Sequence, residues 1–215
     1  MSTTRRGALG AALAAPMLAH FTGTASAEAV PQNWGTISDG WVEVRLTKQA
    51  EEQLDKFGAS VEAVAPAKLV TDSRGTAVRF PVRSGSGDPS LENLPKAKGA
   101  GALEGGIAVR TAEGTFQVSG LSSDLQAGSA SARCAVNGVP AEYGAAIRCG
   151  LAEAGLTTES VPPGKPMKVR LAAVPLRLTP ELFAAYAAVF GAPEFTTDTP
   201  LAYLTAEGVY HPPTR

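Results

Sequence analysis

Apolar and polar residues alternate through most of this chain, in short stretches that end at glycine, proline or asparagine. In residues 41–46, for example, Val42, Val44 and Leu46 are separated by polar or aromatic neighbours. Such alternation is typical of half-buried strands, and about eight to eleven stretches show it. A parallel α/β fold needs a helix between most strands, whereas only two stretches here have helical spacing. We therefore predict a mainly β protein, an antiparallel β-sandwich with two short helices.

The two helical stretches share one local pattern. Residues 44–47 (Val-Arg-Leu-Thr) match residues 176–179 (Leu-Arg-Leu-Thr), and each threonine can cap a helix that ends at a Phe-Gly pair. The apolar positions that follow also correspond, which are Ala50, Leu54 and Phe57 in the first stretch and Leu182, Tyr186 and Val189 in the second. The pattern predicts an internal strand–helix repeat, with one corner at each end of the β-structure.

Residues 1–27 have the features of an export signal. The paired Arg5 and Arg6 precede a weakly apolar stretch that is shorter than the roughly 20 residues needed to span a bilayer. Small residues at 25–27 then predict cleavage before Glu28. The arginine pair favours the twin-arginine route, with general secretion as the alternative. We expect a secreted or envelope-associated bacterial protein without a transmembrane span after signal removal.

The rest of the chain is predicted to form one domain. Residues 28–40 are interpreted as a linker, residues 41–211 as the β-sandwich and residues 212–215 as a tail. Residues 84–106 are rich in Gly, Ser, Pro and Lys, which predicts a long loop.

The two cysteines, Cys134 and Cys149, both lie on the apolar phase of alternating segments. Since an exported protein meets an oxidising compartment, we predict a disulfide between them. Such a bridge would stabilise the fold by about 3 kcal/mol. Asn137 and Gly138 favour a tight turn between the two segments, whereas cysteines directly opposite each other would centre the turn later. The sequence leaves this register open.

Charge and histidine content exclude several functions. The net charge of −1 provides no footprint for nucleic acid. Removal of residues 1–27 takes His20 and leaves His211 as the one histidine. A histidine-rich zinc site is then impossible, and a Ser-His-Asp triad would depend on a histidine in a Pro-flanked tail. We predict no catalytic residue and no metal site.

The strand–helix unit, clearest from Leu178-Thr179 to Phe190-Gly191, resembles the HtaA domain family of secreted actinobacterial envelope proteins. The resemblance implies a β-sandwich and, for some members, haem binding. Asn33-Trp34-Gly35 is similar to the opening of the haem-binding members, but no tyrosine follows before Tyr143, so the family's ligand position is missing. The candidate haem ligands in this chain are Tyr210 and His211, since a tyrosinate with a nearby histidine suits ferric haem.

Two classes of function remain. The first is a non-catalytic exported protein that binds an envelope component, a protein or a small ligand. Haem and a small hydrophobic molecule are the alternative ligands. The tryptophans Trp34 and Trp41 are candidates for a contact surface. The second is a carboxylate-dependent hydrolase. The acidic residues in or near loops that it would draw on are Asp88, Glu92, Glu104 and Asp124. A deep apolar cavity would favour a small-molecule carrier.

Overall fold

The structure, a computed structural model, describes residues 34–88, 98–162 and 164–213. The predicted export signal and Glu92 lie outside the described residues. The described part contains twelve strands and two α-helices. The strands are β1 (Gly35–Leu46), β2 (Ser60–Val64), β3 (Lys68–Asp72), β4 (Gly75–Gly87), β5 (Gly99–Leu103), β6 (Gly106–Arg110), β7 (Thr115–Asp124), β8 (Ser129–Val136), β9 (Val139–Cys149), β10 (Gly155–Thr158), β11 (Met167–Leu178) and β12 (Ala202–His211). The helices are α1 (Lys48–Lys56) and α2 (Pro180–Phe190), and a short 3-10 turn covers Leu151–Glu153.

Eight of the strands close into a ring, so the predicted sandwich is wrong and the fold is a closed antiparallel barrel. The ring runs β7-β5-β4-β1-β12-β11-β9-β8, and β8 pairs back onto β7. Closure leaves no unpaired sheet edge in the ring, which is how all-β folds avoid exposed backbone groups. The four other strands are attached to it: β6 pairs with β7, β2 with β6, β3 with β4 and β10 with β11.

The ring is strongly staggered. Paired positions followed from Thr36 at the start of β1 go once around the barrel and return beside Leu46, at the far end of the same strand. A stagger of this kind accompanies strands that are tilted to the barrel axis. A barrel of about eight strands is either filled by its inward side chains or left with room for one small ligand. The size of those side chains therefore decides what the interior holds.

Much of the predicted long loop, residues 84–106, belongs to the barrel wall. β4 continues to Gly87 and β5 begins at Gly99, and the two pair over Gly87–Gly99 to Val82–Leu103. The predicted linker 28–40 likewise overlaps β1, which begins at Gly35. These segments read as loops because they lack bulky residues. Small residues are needed there, since a Cβ on Gly85 would lie 2.9 Å from the Ile37 Cβ.

The turn between β8 and β9 is the tight Asn-Gly turn. Val136 pairs with Val139, and Asn137 and Gly138 have φ of 50° and 81°, as a two-residue hairpin turn requires. Cys134 therefore faces Ala141.

This register separates the two cysteines, and both are free in the structure. The Cys149 N–H donates to the Gly128 carbonyl, 2.8 Å away, beyond the other end of β8. That is about 20 Å along the strand from Cys134, whereas bridged Cα atoms lie within about 7 Å. The predicted disulfide is thus not formed, and it would need a different pairing of β8 with β9.

Both helices lie at one end of the barrel and begin at the predicted threonines. The Thr47 hydroxyl accepts from the Ala50 N–H at 3.2 Å, and the Thr179 hydroxyl accepts from the Leu182 N–H at 3.4 Å. At the opposite end, the ring of Tyr210 packs among Ile37, Leu125, Met167 and Val169. No helix of the described residues has the length and apolar character needed to cross a membrane.

Candidate functional site

The barrel holds an interior cavity of about 390 Å³, here called the chamber. It reaches from Tyr186 and Leu182 at the helix end to Ile37 and Leu125, which pack against Tyr210 at the other end. Most of its wall is aliphatic or small, including Val42, Val44, Val82, Ala102, Leu121, Ala130, Ile147, Leu171, Val174, Leu176, Leu204 and Ala206. The chamber is therefore an apolar space that runs through the barrel.

Small inward residues leave this space open. Ala130 on β8 lies opposite Ser123 on β7 and Ile147 on β9, and all three line the chamber. Its methyl group fills far less volume than a leucine side chain would. On β5, a Cβ added to Gly101 would meet the Ser123 Oγ at 3.3 Å, so the wall there consists of backbone and short side chains. The interior is wide because these strands carry small residues where a solid core would place large ones.

The charged residues that reach the chamber already have partners. Arg177 donates to both carboxylate oxygens of Glu153, at 2.9 and 3.1 Å. This hydrogen bonding raises the pKa of Arg177 and lowers that of Glu153, so both groups stay ionised. Glu207 forms an ion pair with Arg170.

Asp124 is the third charged residue in the lining. Its Oδ1 accepts from the Gln126 N–H at 2.8 Å and from the Ala127 N–H at 3.3 Å. The carboxylate therefore stabilises the turn after β7. Among the described lining residues, no charged side chain lacks a partner.

Tyr186 brings a phenol to the helix end of the chamber. Its side chain packs edge-on against Phe116, with ring centroids 6.2 Å apart, and lies 5.7 Å from Phe195. The residue is 8% exposed, and burial raises the pKa of its hydroxyl to about 12. The group is therefore uncharged near neutral pH. Within the described part of the chain its hydroxyl has no hydrogen-bond partner.

The predicted haem candidates lie elsewhere. Tyr210 is 1% exposed, and its hydroxyl donates to the Gly87 carbonyl at 3.3 Å. Burial raises its pKa, partly offset by a hydrogen bond from the Gly35 backbone. The His211 Nε2 forms a 2.8 Å hydrogen bond with the Ser38 Oγ. Because successive strand residues point to opposite faces, the two side chains do not converge, and neither lines the chamber.

Among the described residues, one buried carboxylate is that of Glu43, which was not predicted from the sequence. It is 7% exposed and accepts from Arg45 at 2.9 Å and Arg79 at 2.8 Å. Burial alone would raise its pKa, but the two arginines outweigh burial and lower it. The Arg79 guanidinium also lies 4.5 Å from the centre of the Trp41 ring. The charge of Glu43 is thus balanced by two arginines, and the Trp41 ring is partly covered by Arg79.

Two of the other acidic candidates have a described environment. Glu104 is exposed, and Asp124 caps its turn. In the described residues, no group of three or more His, Cys, Asp or Glu side chains is placed to hold a metal ion. The chamber itself was not predicted from the sequence. Its available signal was the small-residue content of segments interpreted as loop.

Fold and site together define a closed antiparallel barrel with an apolar interior chamber. No family model and no curated protein matches the chain. Among solved structures, it is similar to the C-terminal domain of HtaA from Corynebacterium glutamicum, with 13% identity and a TM-score of 0.49. The match covers 82% of this chain and 99% of that domain. This match does not establish a family for the chain.

Proposed function

We propose that this protein binds one small apolar molecule inside its barrel. The chamber carries the proposal, because its volume of about 390 Å³ falls in the range of about 300–1,000 Å³ that small-molecule sites occupy. Aliphatic walls favour a ligand that loses unfavourable contact with water on entry. A barrel filled by its own side chains would have no such capacity.

Binding explains the interior better than catalysis does. A general acid or base needs a titratable group within hydrogen-bond reach of the substrate. The charged groups among the described lining residues are held in ion pairs or a turn, and Tyr186 remains protonated near neutral pH. The hydrolase alternative therefore has no support from the geometry of the described residues.

Export to the cell envelope or beyond belongs to the same proposal, supported by the signal-like residues 1–27. The protein would then meet its ligand outside the cytoplasm, as a carrier or as a receptor. The test is to isolate the protein from the envelope fraction and compare its mass with that of the full chain. A protein that remains uncleaved in the cytoplasm would contradict the proposal.

The binding test uses the uncharged fluorophore N-phenyl-1-naphthylamine, whose emission rises in apolar surroundings. We expect a saturable signal from the wild-type protein with one site per chain. The variant Ala130→Leu should weaken it, because the larger side chain takes up part of the chamber.

The matched control is Ala135→Leu, the same change on the same strand. Ala135 has the opposite strand phase from the buried Ala132 and Cys134, so the new side chain lies outside the barrel. Circular dichroism confirms that both variants fold. Absence of saturable binding to the wild type, or equal loss in both variants, would contradict the proposal.

A further inference from the structure

The chamber offers a ligand no free charge. Arg177 is the one cationic residue among its described lining, and both of its carboxylate contacts go to Glu153. It also donates from Nε to the Asp198 carbonyl at 3.0 Å. A ligand carboxylate that entered the chamber would lose its hydration and gain no cation in return. Buried charges without partners are strongly unfavourable, so this interior selects against acids.

Tyr186 offers the opposite, an uncharged donor without an acceptor. It is more than nine-tenths buried, it lines the chamber, and no described residue accepts from its hydroxyl. Its position is fixed by the Thr179 cap at the start of α2 and by the rings of Phe116 and Phe195. A donor that has no acceptor among the described residues gains a hydrogen bond when a ligand brings one.

From these two observations we infer that the ligand is an uncharged, lipid-like molecule with an alcohol or carbonyl oxygen, and that the Tyr186 hydroxyl donates a hydrogen bond to that oxygen. The inference rests on the proposed function and narrows it. The aliphatic wall holds the hydrocarbon part, while Tyr186 recognises the oxygen at the helix end. Fatty acids of the same length are excluded by their charge.

The test displaces N-phenyl-1-naphthylamine from the full-length protein at pH 8 with two compounds of equal chain length, dodecan-1-ol and dodecanoate. We expect the alcohol to bind at least about a hundredfold more tightly, as expected for a charge that is buried unpaired. Equal displacement by dodecanoate would overturn the selection against charge. This comparison uses the wild-type protein alone, so it does not depend on any variant folding.

The role of the hydroxyl is tested with Tyr186→Phe. We expect dodecan-1-ol to bind about three- to tenfold more weakly, the loss of one hydrogen bond. The fluorophore, which has no oxygen, should bind as before and so shows that the chamber is intact.

The matched control is Tyr203→Phe, which removes the same hydroxyl from an exposed position of β12 and should change neither affinity. Unchanged alcohol binding in Tyr186→Phe would refute the role of Tyr186 while leaving the proposed function standing. Failure of the wild type to bind the fluorophore would instead refute the proposed function.

Discussion

The two strand–helix corners of the barrel, residues 35–58 and 167–191, have the same construction. β1 and β11 pair with opposite edges of β12, and each pairing has an irregularity near a residue of positive φ, Asp39 at 49° and Ala173 at 58°. Each strand runs into a capping threonine and a short helix. The repeat predicted from residues 44–47 and 176–179 is therefore present in the structure, although both corners lie at the same end of the barrel.

The helices nevertheless differ in depth. α1 buries Ala50 and Gln53, and the Gln53 Oε1 accepts from the Glu194 N–H at 3.1 Å. α2 buries Leu182, Tyr186 and Phe190. The threonine cap thus determines where each helix begins, whereas the apolar content of the helix determines how deeply it packs. The second corner is thus the one that brings a polar group to the chamber.

The largest difference in stability between the two corners should come from truncating one leucine in each helix. Leu182 is 1% exposed, whereas Leu54 is half-buried. We expect Leu182→Ala to lower the free energy of unfolding by about 2–5 kcal/mol, and Leu54→Ala by about half as much, because less surface is lost there. Urea denaturation followed by circular dichroism measures both. Equal losses would show that the two helices pack to the same depth.

The two capping threonines should differ less in their contribution to stability. Thr179 is 5% exposed, and its hydroxyl also donates to the Ala145 carbonyl at 2.9 Å. Thr47 is only half-buried, and its hydroxyl donates to the Pro200 carbonyl at 3.3 Å. We expect Thr179→Ala to destabilise by about 2 kcal/mol and Thr47→Ala by about 1 kcal/mol.

Thr179→Ser and Thr47→Ser retain the hydroxyl and should recover most of each loss in the same denaturation experiment. If Thr47→Ala lowers the free energy of unfolding more than Thr179→Ala does, the second corner is not the more deeply packed of the two.

A still smaller effect is expected at the surface of the first corner. Lys56 at the end of α1 forms an ion pair with Glu194, and their side chains are 54% and 70% exposed. Exposed pairs contribute about 0–1 kcal/mol. Glu194→Gln should therefore change the free energy of unfolding by less than about 0.5 kcal/mol. A loss above 1 kcal/mol would show that this pair holds α1 in place.

The features that the sequence predicted are local ones. A threonine before an apolar helical face, Asn137-Gly138 between alternating segments and the repeated Leu-Thr motif each act within a few residues. Barrel closure was not predicted because it depends on β7 pairing with β8 while β5 and β4 complete the wall. Alternation indicates that one face of each strand is buried, but two layers and a ring satisfy it equally.

The chamber could not be predicted from the sequence either, because an empty volume depends on residues from many strands at once. The small residues of β4 and β5 looked like loop composition, and only their pairing shows that they form the wall. The helix faces were predicted nearly correctly. On α2, the buried residue near the end of the helix is Phe190 and not the predicted Val189. The Phe190 ring stacks on Phe57 with centroids 6.1 Å apart.

The cysteines provide the test with the smallest expected effect, and it concerns the second corner. Cys149 faces Leu176, three residues before Thr179, so a bridge from Cys149 to Cys134 would have to rearrange the strand that leads into α2. Burial raises the pKa of Cys134 to about 12 and that of Cys149 to about 11, which keeps both thiols protonated and unreactive in the folded protein. We expect thiol reagent to find no reactive group in the native protein and two in denaturant without reductant.

Adding reductant should then leave the unfolding midpoint unchanged, because no covalent link is lost. A disulfide would give the reverse pattern: no thiol in denaturant, and a loss of about 3 kcal/mol on reduction. That result would show that β8 and β9 pair in another register, since the present one holds the two sulfur atoms at opposite ends of β8. The corner that reaches deepest into the barrel would then be fastened by a bond as well as by packing, and the difference between the two corners would be larger than the packing alone provides.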